Sequence, residues 1–260
     1  MTQVAIGEAW IVDSHARVAS ANPLRYPQRA NDSDAPAPVE MLLLIMENCG
    51  VQVAWLRQDA RYGDDYAYLQ ASIAQYSDRF IGIGRIGTES SPSETQFRET
   101  LALPQMRGLE AAAGCGNAAL DAACRALAIS GGLLIARPVE AAWAAARYGD
   151  GDIRVVVETA PESTDLNPLL RLAKYPNTVA GLAGFWGPEQ QIERSAVKVV
   201  PQVLRAYGPE RCVWGSGFPR CGGPIGYQAR LDALGDMVPD TDITVRRVMR
   251  DAAAGLASIG

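Results

Sequence analysis

The chain has 260 residues, a net charge of −5 and a pI near 5.0. This acidic balance argues against nucleic acid or an anionic membrane as the main partner, because both select for basic surfaces. Hydrophobic residues make up 48% and charged residues 20% of the chain, and no apolar run reaches 18 residues. We therefore expect a globular protein of enzyme size with a large core and no membrane span.

The cysteines and the first residues indicate the compartment. Five cysteines form no Cys-x-x-Cys pair, and any scheme of disulfides would leave one of them over. The first residues lack the basic and long apolar regions of a signal peptide. We therefore predict reduced thiols and a cytoplasmic location.

Short apolar runs typical of strands alternate with helical patterns along the whole chain. The eight predicted strands are 9–14, 51–57, 80–86, 108–113, 132–137, 153–158, 178–185 and 212–216. The predicted helices are 38–48, 65–76, 93–103, 117–129, 139–146, 165–174, 189–206 and 228–237, and a ninth, 243–257, closes the chain. Eight strand–helix repeats in about 250 residues predict an α/β protein, a single (β/α)8 TIM barrel in which residues 1–260 form one domain.

Two segments are predicted to line the rim of this barrel. The Pro-rich stretch 22–38 is too polar for a strand or a helix, and 219–226 follows the last strand. Barrels of this kind place their active sites at the C-terminal ends of the strands, among such loops. The glycines of Gly82–Gly87 match a dinucleotide-binding spacing but lie inside the third predicted strand, and we predict no cofactor.

Four segments of the chain contain recognisable motifs: 12–18 (VDSHARV), 62–66 with 78–82 (YGDDY and DRFIG), 172–178 (LAKYPNT) and 207–219 (YGPERCVWGSGFP). In this order they resemble the amidohydrolase-related (amidohydrolase 2) family. The resemblance implies an amidohydrolase-like barrel. The family includes lactonases acting on pyrone dicarboxylates and sugar lactones, decarboxylases of aromatic acids, and other hydrolases. The chain is most similar to the lactonase branch, which contains 2-pyrone-4,6-dicarboxylate hydrolases.

The chain departs from this family at its catalytic centre. In the family the first strand ends in His-x-His, a later strand ends in histidine, and an aspartate follows the eighth strand; these residues bind a divalent metal in many members. Here His15 is retained, but Arg17 stands at the second histidine, Glu158 at the later one and Gly217 at the aspartate. Because a zinc site needs about three protein ligands, we predict that no catalytic metal is bound.

The residues that end the other strands point to an anionic substrate. Arg57, Arg85 and Arg137 are expected to face the barrel mouth together with Arg17, and guanidinium groups bind carboxylate or phosphate in a bidentate manner. We predict that the substrate is bound by a set that also includes an acid and an aromatic residue: Arg57, Arg85, Arg137, Glu110 and Trp186. The alternative is that each arginine pairs with a local acid or extends into solvent.

The predicted catalytic residues are His15, Arg17 and Glu158. Imidazole titrates near neutrality, so His15 could act as general base or acid, with Glu158 orienting or assisting it. Arg17 would replace the metal as the charge that stabilises an oxyanion. The alternatives are a histidine kept for packing, and a Glu158 that only pairs with Arg17 or Arg137.

Three functions are compatible with these residues. The first is metal-independent hydrolysis of a small anionic lactone, ester or cyclic acid by acid–base catalysis. The second is an isomerase, cyclase or lyase acting on a small carboxylated metabolite, because these reactions need an acid–base pair but no metal-bound hydroxide. The third is a catalytically inactive barrel that binds a ligand. The sequence leaves the substrate and the oligomeric state open, with a homodimer as one alternative.

Overall fold

Eight parallel strands form one sheet, in which the strands follow one another in chain order. The structure is a computed structural model, and it describes residues 11–29, 35–88, 92–148, 152–159, 165–185, 194–237 and 247–257. The strands are β1 (Val12–Arg17), β2 (Val53–Arg57), β3 (Phe80–Ile86), β4 (Met106–Ala111), β5 (Leu133–Ala136), β6 (Arg154–Glu158), β7 (Thr178–Gly181) and β8 (Cys212–Val213). Each strand pairs with the next one along the chain.

A helix follows each strand. These helices are α1 (Val39–Asn48), α2 (Ala67–Gln75), α3 (Glu94–Leu101), α4 (Asn117–Ser130), α5 (Pro138–Arg147), α6 (Asn167–Leu172), α7 (Arg194–Tyr207) and α8 (Gly223–Met237). A π-helical turn, Arg247–Asp251, leads into α9 (Ala252–Ala257). No helix among the described segments is long and apolar enough to cross a membrane.

Backbone hydrogen bonds between β1 and the segment after β8 close the barrel. The N–H of Ser14 donates to the carbonyl of Trp214 at 3.0 Å, and the N–H of Gly217 donates to that of His15 at 3.0 Å. Further along, the N–H of Arg17 donates to the carbonyl of Phe218, also at 3.0 Å. The predicted single (β/α)8 barrel is therefore confirmed.

Apolar side chains fill the barrel and a second layer between the sheet and the helices. The interior cluster takes residues from most strands and three from the last helix: Val12, Val53, Trp55, Ile81, Ile83, Leu133, Ile135, Val156, Val179, Val213, Ala252, Ala253 and Leu256. Residues between them, such as Ala54, Leu56 and Val157, belong to the outer layer. Strands buried on both faces are typical of parallel sheets, and they explain the continuous apolar runs of the sequence.

Several element boundaries differ from the prediction. The first strand runs to Arg17 rather than to residue 14, because its polar end still pairs with β2 and with the segment after β8. The seventh strand ends at Gly181, and Leu182–Phe185 form a 3₁₀ helix instead of continuing the apolar run as a strand. Helix α8 begins at Gly223, so half of the predicted rim loop 219–226 is helical, with Pro224 in the first turn where proline is tolerated.

Candidate active site

Five charged or titratable side chains meet at the C-terminal ends of the strands. In order of contact they are His15, Glu158, Arg57, Glu110 and Arg17, and we call them the mouth network. They come from β1, β2, β4 and β6, so residues far apart in the sequence are brought together by the closure of the barrel. All three predicted catalytic residues belong to this network.

His15 and Glu158 form a hydrogen-bonded pair. The Nδ1 atom of His15 lies 3.1 Å from Oε2 of Glu158. The guanidinium of Arg57 and the imidazole hold the pKa of Glu158 well below its ordinary value against the effect of burial, so this side chain is a carboxylate. Because a carboxylate only accepts hydrogen bonds, Nδ1 carries the proton, and Nε2 is left as the acceptor.

The imidazole of His15 is suited to act as a base. Burial and the nearby charge of Arg57 lower its pKa below the ordinary 6.5, although Glu158 opposes this shift. The ring is therefore neutral at pH 7. Its side chain is 22% exposed, and its Nε2 has no hydrogen-bond partner within the part of the chain that the structure describes.

Arg57 is the buried centre of the mouth network. Its Nη1 and Nη2 atoms donate to the two oxygens of Glu158 at 2.8 and 2.6 Å, and its side chain is 0% exposed. Its Nε and Nη2 atoms also donate to the carbonyl of Ser14 at 3.1 and 2.7 Å. Glu158 thus pairs with Arg57 and His15, not with the Arg17 or Arg137 considered from the sequence. The substrate contact predicted for Arg57 needs an exposed guanidinium, which this arginine does not have.

Arg17 and Glu110 form the outer end of the network. Nη2 of Arg17 donates to both oxygens of Glu110, at 2.6 and 2.7 Å, and Nη1 donates to the carbonyl of Gln58 at 2.9 Å. The side chains of Arg17 and Glu110 are 23% and 17% exposed, so this pair faces the mouth rather than bulk water. The two arginines keep the pKa of Glu110 below its ordinary value.

The remaining predicted substrate-binding residues lie outside the network. Arg85 is half-buried and is the register partner of Glu110 on the neighbouring strand, whereas Arg137 is exposed at the start of α5. Neither guanidinium has a hydrogen bond or an ion pair to another described residue; the backbone N–H of Arg85 donates to the hydroxyl of Tyr66. Trp186 lies outside the described residues.

Two glycines leave room for His15 and Glu158, and the sequence reasoning missed both. A Cβ atom on Gly181, the register partner of Glu158, would lie 2.4 Å from its Cγ. A Cβ atom on Gly215 would lie 2.7 Å from the Cβ of His15. A glycine in a strand, such as Gly181 at the end of β7, is the signal of such a close approach.

We expect the substitution Gly181→Ala to displace Glu158 and to lower the free energy of unfolding by about 1–3 kcal/mol, the usual cost of overpacking. Chemical denaturation would measure this loss. Gly235→Ala is a matched control, because a Cβ atom there meets nothing within 4 Å and alanine favours the helix. Equal stability of the Gly181→Ala variant and the wild type would contradict the close contact.

The described residues at the mouth do not fit a catalytic metal. No group of three or more His, Cys, Asp or Glu side chains that could hold an ion occurs among them. Both carboxylates near His15 are bound by arginines, which would repel a divalent cation. A zinc centre needs about three protein ligands, and His15 is the one neutral ligand available in the network.

The pKa shifts of the mouth network predict that acid destabilises the protein. His15, Glu110 and Glu158 all have pKa values lowered by folding, so the stability they contribute is complete above their unfolded values and is lost as pH falls through the folded ones. The loss begins below the ordinary 6.5 of histidine and continues below the ordinary 4.5 of glutamate. Asp13, whose pKa burial raises, acts in the opposite sense.

Urea unfolding at a series of pH values would measure this loss. The expected result is a free energy of unfolding that falls from pH 7 to pH 4, with a smaller fall below pH 4.5 in Glu158→Gln than in the wild type. A free energy that stays constant or rises over this range would show that the network does not contribute through these shifts.

Asp13 is a further buried residue that the sequence reasoning did not single out. Its carboxylate accepts hydrogen bonds from the N–H of His15 at 2.9 Å, the N–H and hydroxyl of Ser216 at 2.8 and 2.6 Å, and the hydroxyl of Tyr227 at 2.9 Å. An aspartate within a strand must be paired when it is buried, but the sequence does not show that Asp13 is buried.

Comparisons with known proteins identify the fold. No protein-family model matches the chain, and no curated protein matches it. A candidate 2-pyrone-4,6-dicarboxylic acid hydrolase from Pseudomonas putida superposes with a TM-score of 0.74 at 19% identity, over 96% of this chain and 97% of that one. A zinc-bound amidohydrolase from Burkholderia multivorans gives 0.73 at 16% identity, over 97% and 100%.

A third solved structure shows the same fold. It is a candidate 2-pyrone-4,6-dicarboxylic acid hydrolase from Acinetobacter baumannii with bound citric acid, with a TM-score of 0.72 at 17% identity, over 95% of this chain and 99% of that one. At these identities the likeness shows the fold alone. The chain thus has the same (β/α)8 barrel fold as these proteins, the fold that the resemblance in its sequence implied.

Proposed function

We propose that this protein is a metal-independent hydrolase of a small anionic lactone, ester or cyclic acid, with His15 as its general base. The observation that carries the proposal is the 3.1 Å contact between His15 Nδ1 and the Glu158 carboxylate. It fixes the tautomer in which Nε2 can accept a proton, and the lowered pKa keeps the ring neutral at pH 7. The structural neighbours, which include hydrolases by name, support the reaction class.

In the proposed reaction, Nε2 of His15 removes a proton from a water molecule as its oxygen attacks the ester carbonyl. The imidazolium that forms is stabilised by Glu158, as in other carboxylate–histidine pairs. When the tetrahedral intermediate collapses, the C–O bond to the leaving group breaks and His15 returns the proton to that oxygen. One water is consumed, and the products are a carboxylic acid and an alcohol.

Arg17 is the residue we propose to stabilise the oxyanion. It faces the mouth, but its charge is shared with Glu110, to which it donates two hydrogen bonds. A guanidinium balanced by a carboxylate supplies directed N–H donors more than net positive charge. We therefore expect Arg17 to act by hydrogen bonding in a partly dry site, and substrates with good leaving groups to react fastest.

The substrate-binding residues we propose are Arg85, Arg137 and Glu110, with Trp186 as a further candidate. Arg85 and Arg137 differ from Arg17 and Arg57 in having no ion pair to a described residue, and a guanidinium can bind a carboxylate in a bidentate manner. We assign Arg57 a positioning role in place of substrate contact, because it is buried and holds Glu158.

A second candidate is an isomerase, cyclase or lyase acting on a similar carboxylated substrate. The observation that favours it is the donor set of the mouth network, which offers an acid–base pair without the ligands of a metal that would lower the pKa of a bound water. Proton transfer between carbon and oxygen atoms needs only the base and the arginines. The third candidate, an inactive binding barrel, predicts ligand binding that does not depend on His15.

The test is incubation of the purified protein with a panel of carboxylated lactones and aryl esters, with and without a chelator, followed by mass spectrometry. A product heavier than its substrate by one water, formed equally in the chelator and lost in His15→Asn, would support the hydrolase. A product of unchanged mass would favour isomerisation or cyclisation. Turnover that needs stoichiometric zinc or manganese would overturn the metal-independent mechanism.

A further inference from the structure

A β-bulge in β1 determines the direction in which His15 points. Asp13 pairs with Ala54 of β2 and Ala16 pairs with Leu56, so two residues of β1 face one of β2. Val12 belongs to the interior cluster, and strict alternation from it would turn residues 15 and 17 outward, toward the helices. The extra residue resets the alternation: Ala16 packs in the outer layer, and the side chains of His15 and Arg17 reach the mouth network.

Side chains bind the backbone groups that the bulge removes from the β1–β2 ladder. The N–H of His15 donates to Oδ1 of Asp13 at 2.9 Å, and the carbonyl of Ser14 accepts two hydrogen bonds from Arg57. Buried backbone groups without partners are costly, so these bonds stabilise the bulge against a regular strand. Arg57 acts from β2, and Asp13 acts from within the bulge itself.

Asp13 is itself held from two other elements. Its Oδ1 accepts the N–H of Ser216, and its Oδ2 accepts the hydroxyls of Ser216 and Tyr227. Ser216 follows β8 and Tyr227 lies on α8, and the residue Asp13 is 0% exposed. The carboxylate therefore ties the bulge to the closing seam of the barrel and to α8, which leaves it little freedom to move.

We propose that Asp13 is a positioning residue, whose carboxylate holds the bulge that turns His15 into the barrel mouth. This inference rests on the proposed function only for the role of His15 as base. The position of His15 can be tested without any substrate, so a failure of this inference can be distinguished from a failure of the proposed function.

The chain offers an unusually direct readout, because His15 is its only histidine. In the tag-free protein, all imidazole signals in a nitrogen-15 NMR titration therefore come from His15. They report its pKa and tautomer, and no assignment of signals to residues is needed. We expect the wild type to titrate below the ordinary 6.5, with the proton on Nδ1. In Asp13→Ala, the ring should leave Glu158 and Arg57, and its pKa should rise to about the value of a free histidine.

Asp13→Asn is the conservative variant that separates positioning from charge. Asparagine keeps an oxygen that can accept the N–H groups of His15 and Ser216, so the pKa and tautomer of His15 should stay as in the wild type. Tyr227→Phe removes one hydroxyl from Asp13 but leaves the bond to the N–H of His15, and it should also leave the titration unchanged. That pattern, with the shift confined to Asp13→Ala, supports the proposal.

Two results would overturn it. One is a folded Asp13→Ala protein whose His15 titrates as in the wild type and keeps its proton on Nδ1. The other is an Asp13→Asn protein whose His15 pKa rises to the free value, since the geometry would then not suffice. Should Asp13→Ala fail to fold, the asparagine variant decides alone: a retained titration with slow hydrogen exchange of the His15 amide supports the proposal, and a lost one overturns it.

Discussion

Replacing Arg57 by methionine is expected to lower the free energy of unfolding by about 3–5 kcal/mol, the usual effect of removing one partner from a buried ion pair. The substitution keeps the apolar volume but leaves the Glu158 carboxylate buried without its two strongest donors. It also leaves the carbonyl of Ser14 unsatisfied, since both of its bonds from side chains come from Arg57. Equilibrium unfolding in urea would measure the loss.

The double variant Arg57→Met with Glu158→Gln provides the decisive comparison. If the cost in the single variant comes from an uncompensated carboxylate, neutralising Glu158 should recover a large part of it, because the cost of the unpaired charge disappears. Arg85→Met is the matched control: another inward-facing arginine, half-buried, without an ion pair to a described residue. Losses of similar size in Arg57→Met and Arg85→Met would contradict the central place given to Arg57.

The barrel could be predicted from the sequence because its signals are local and repeated. Apolar runs of strand length, separated by helical patterns, recur eight times. Each run can be recognised from its own residues, without knowledge of its place in the barrel. The ends of the runs were less predictable. At β7, apolar residues continue into a 3₁₀ helix, and periodicity cannot separate the two in a segment of eight residues.

The residues at the mouth could be predicted from their places at strand ends, but their partners could not. The sequence allows Glu158 to pair with Arg17 or Arg137, whereas in the structure it pairs with Arg57. The choice depends on the stagger between strands, which decides how deep in the barrel each side chain lies, and on the bulge in β1. Neither the stagger nor the bulge has a clear signal in the sequence. Asp13, which carries part of that geometry, looked like an ordinary polar residue of a strand.

His15→Asn is expected to lower kcat/KM for a hydrolysed substrate by about 10²–10⁴-fold, the usual contribution of a general base. Asparagine is polar and similar in size near the backbone, so the bulge and its bond from the His15 N–H to Asp13 should persist. Steady-state kinetics on the best substrate of the lactone and ester panel would measure the loss. Arg85→Met, in contrast, should raise KM more than it lowers kcat, because it would remove substrate binding and leave the base in place.

The pH dependence of kcat/KM tests the role of His15 as the base more specifically than the loss of rate alone. The acidic limb of kcat/KM reports the pKa of the base in the free enzyme, and we expect it below the ordinary 6.5 because burial and Arg57 disfavour the imidazolium. Glu158 raises that pKa, so Glu158→Gln should move the limb to still lower pH while it reduces the rate. A limb that stays in place in this variant would mean that the titrating base is not the imidazole bound to Glu158. Full activity of the His15→Asn variant would likewise show that His15 is not the base.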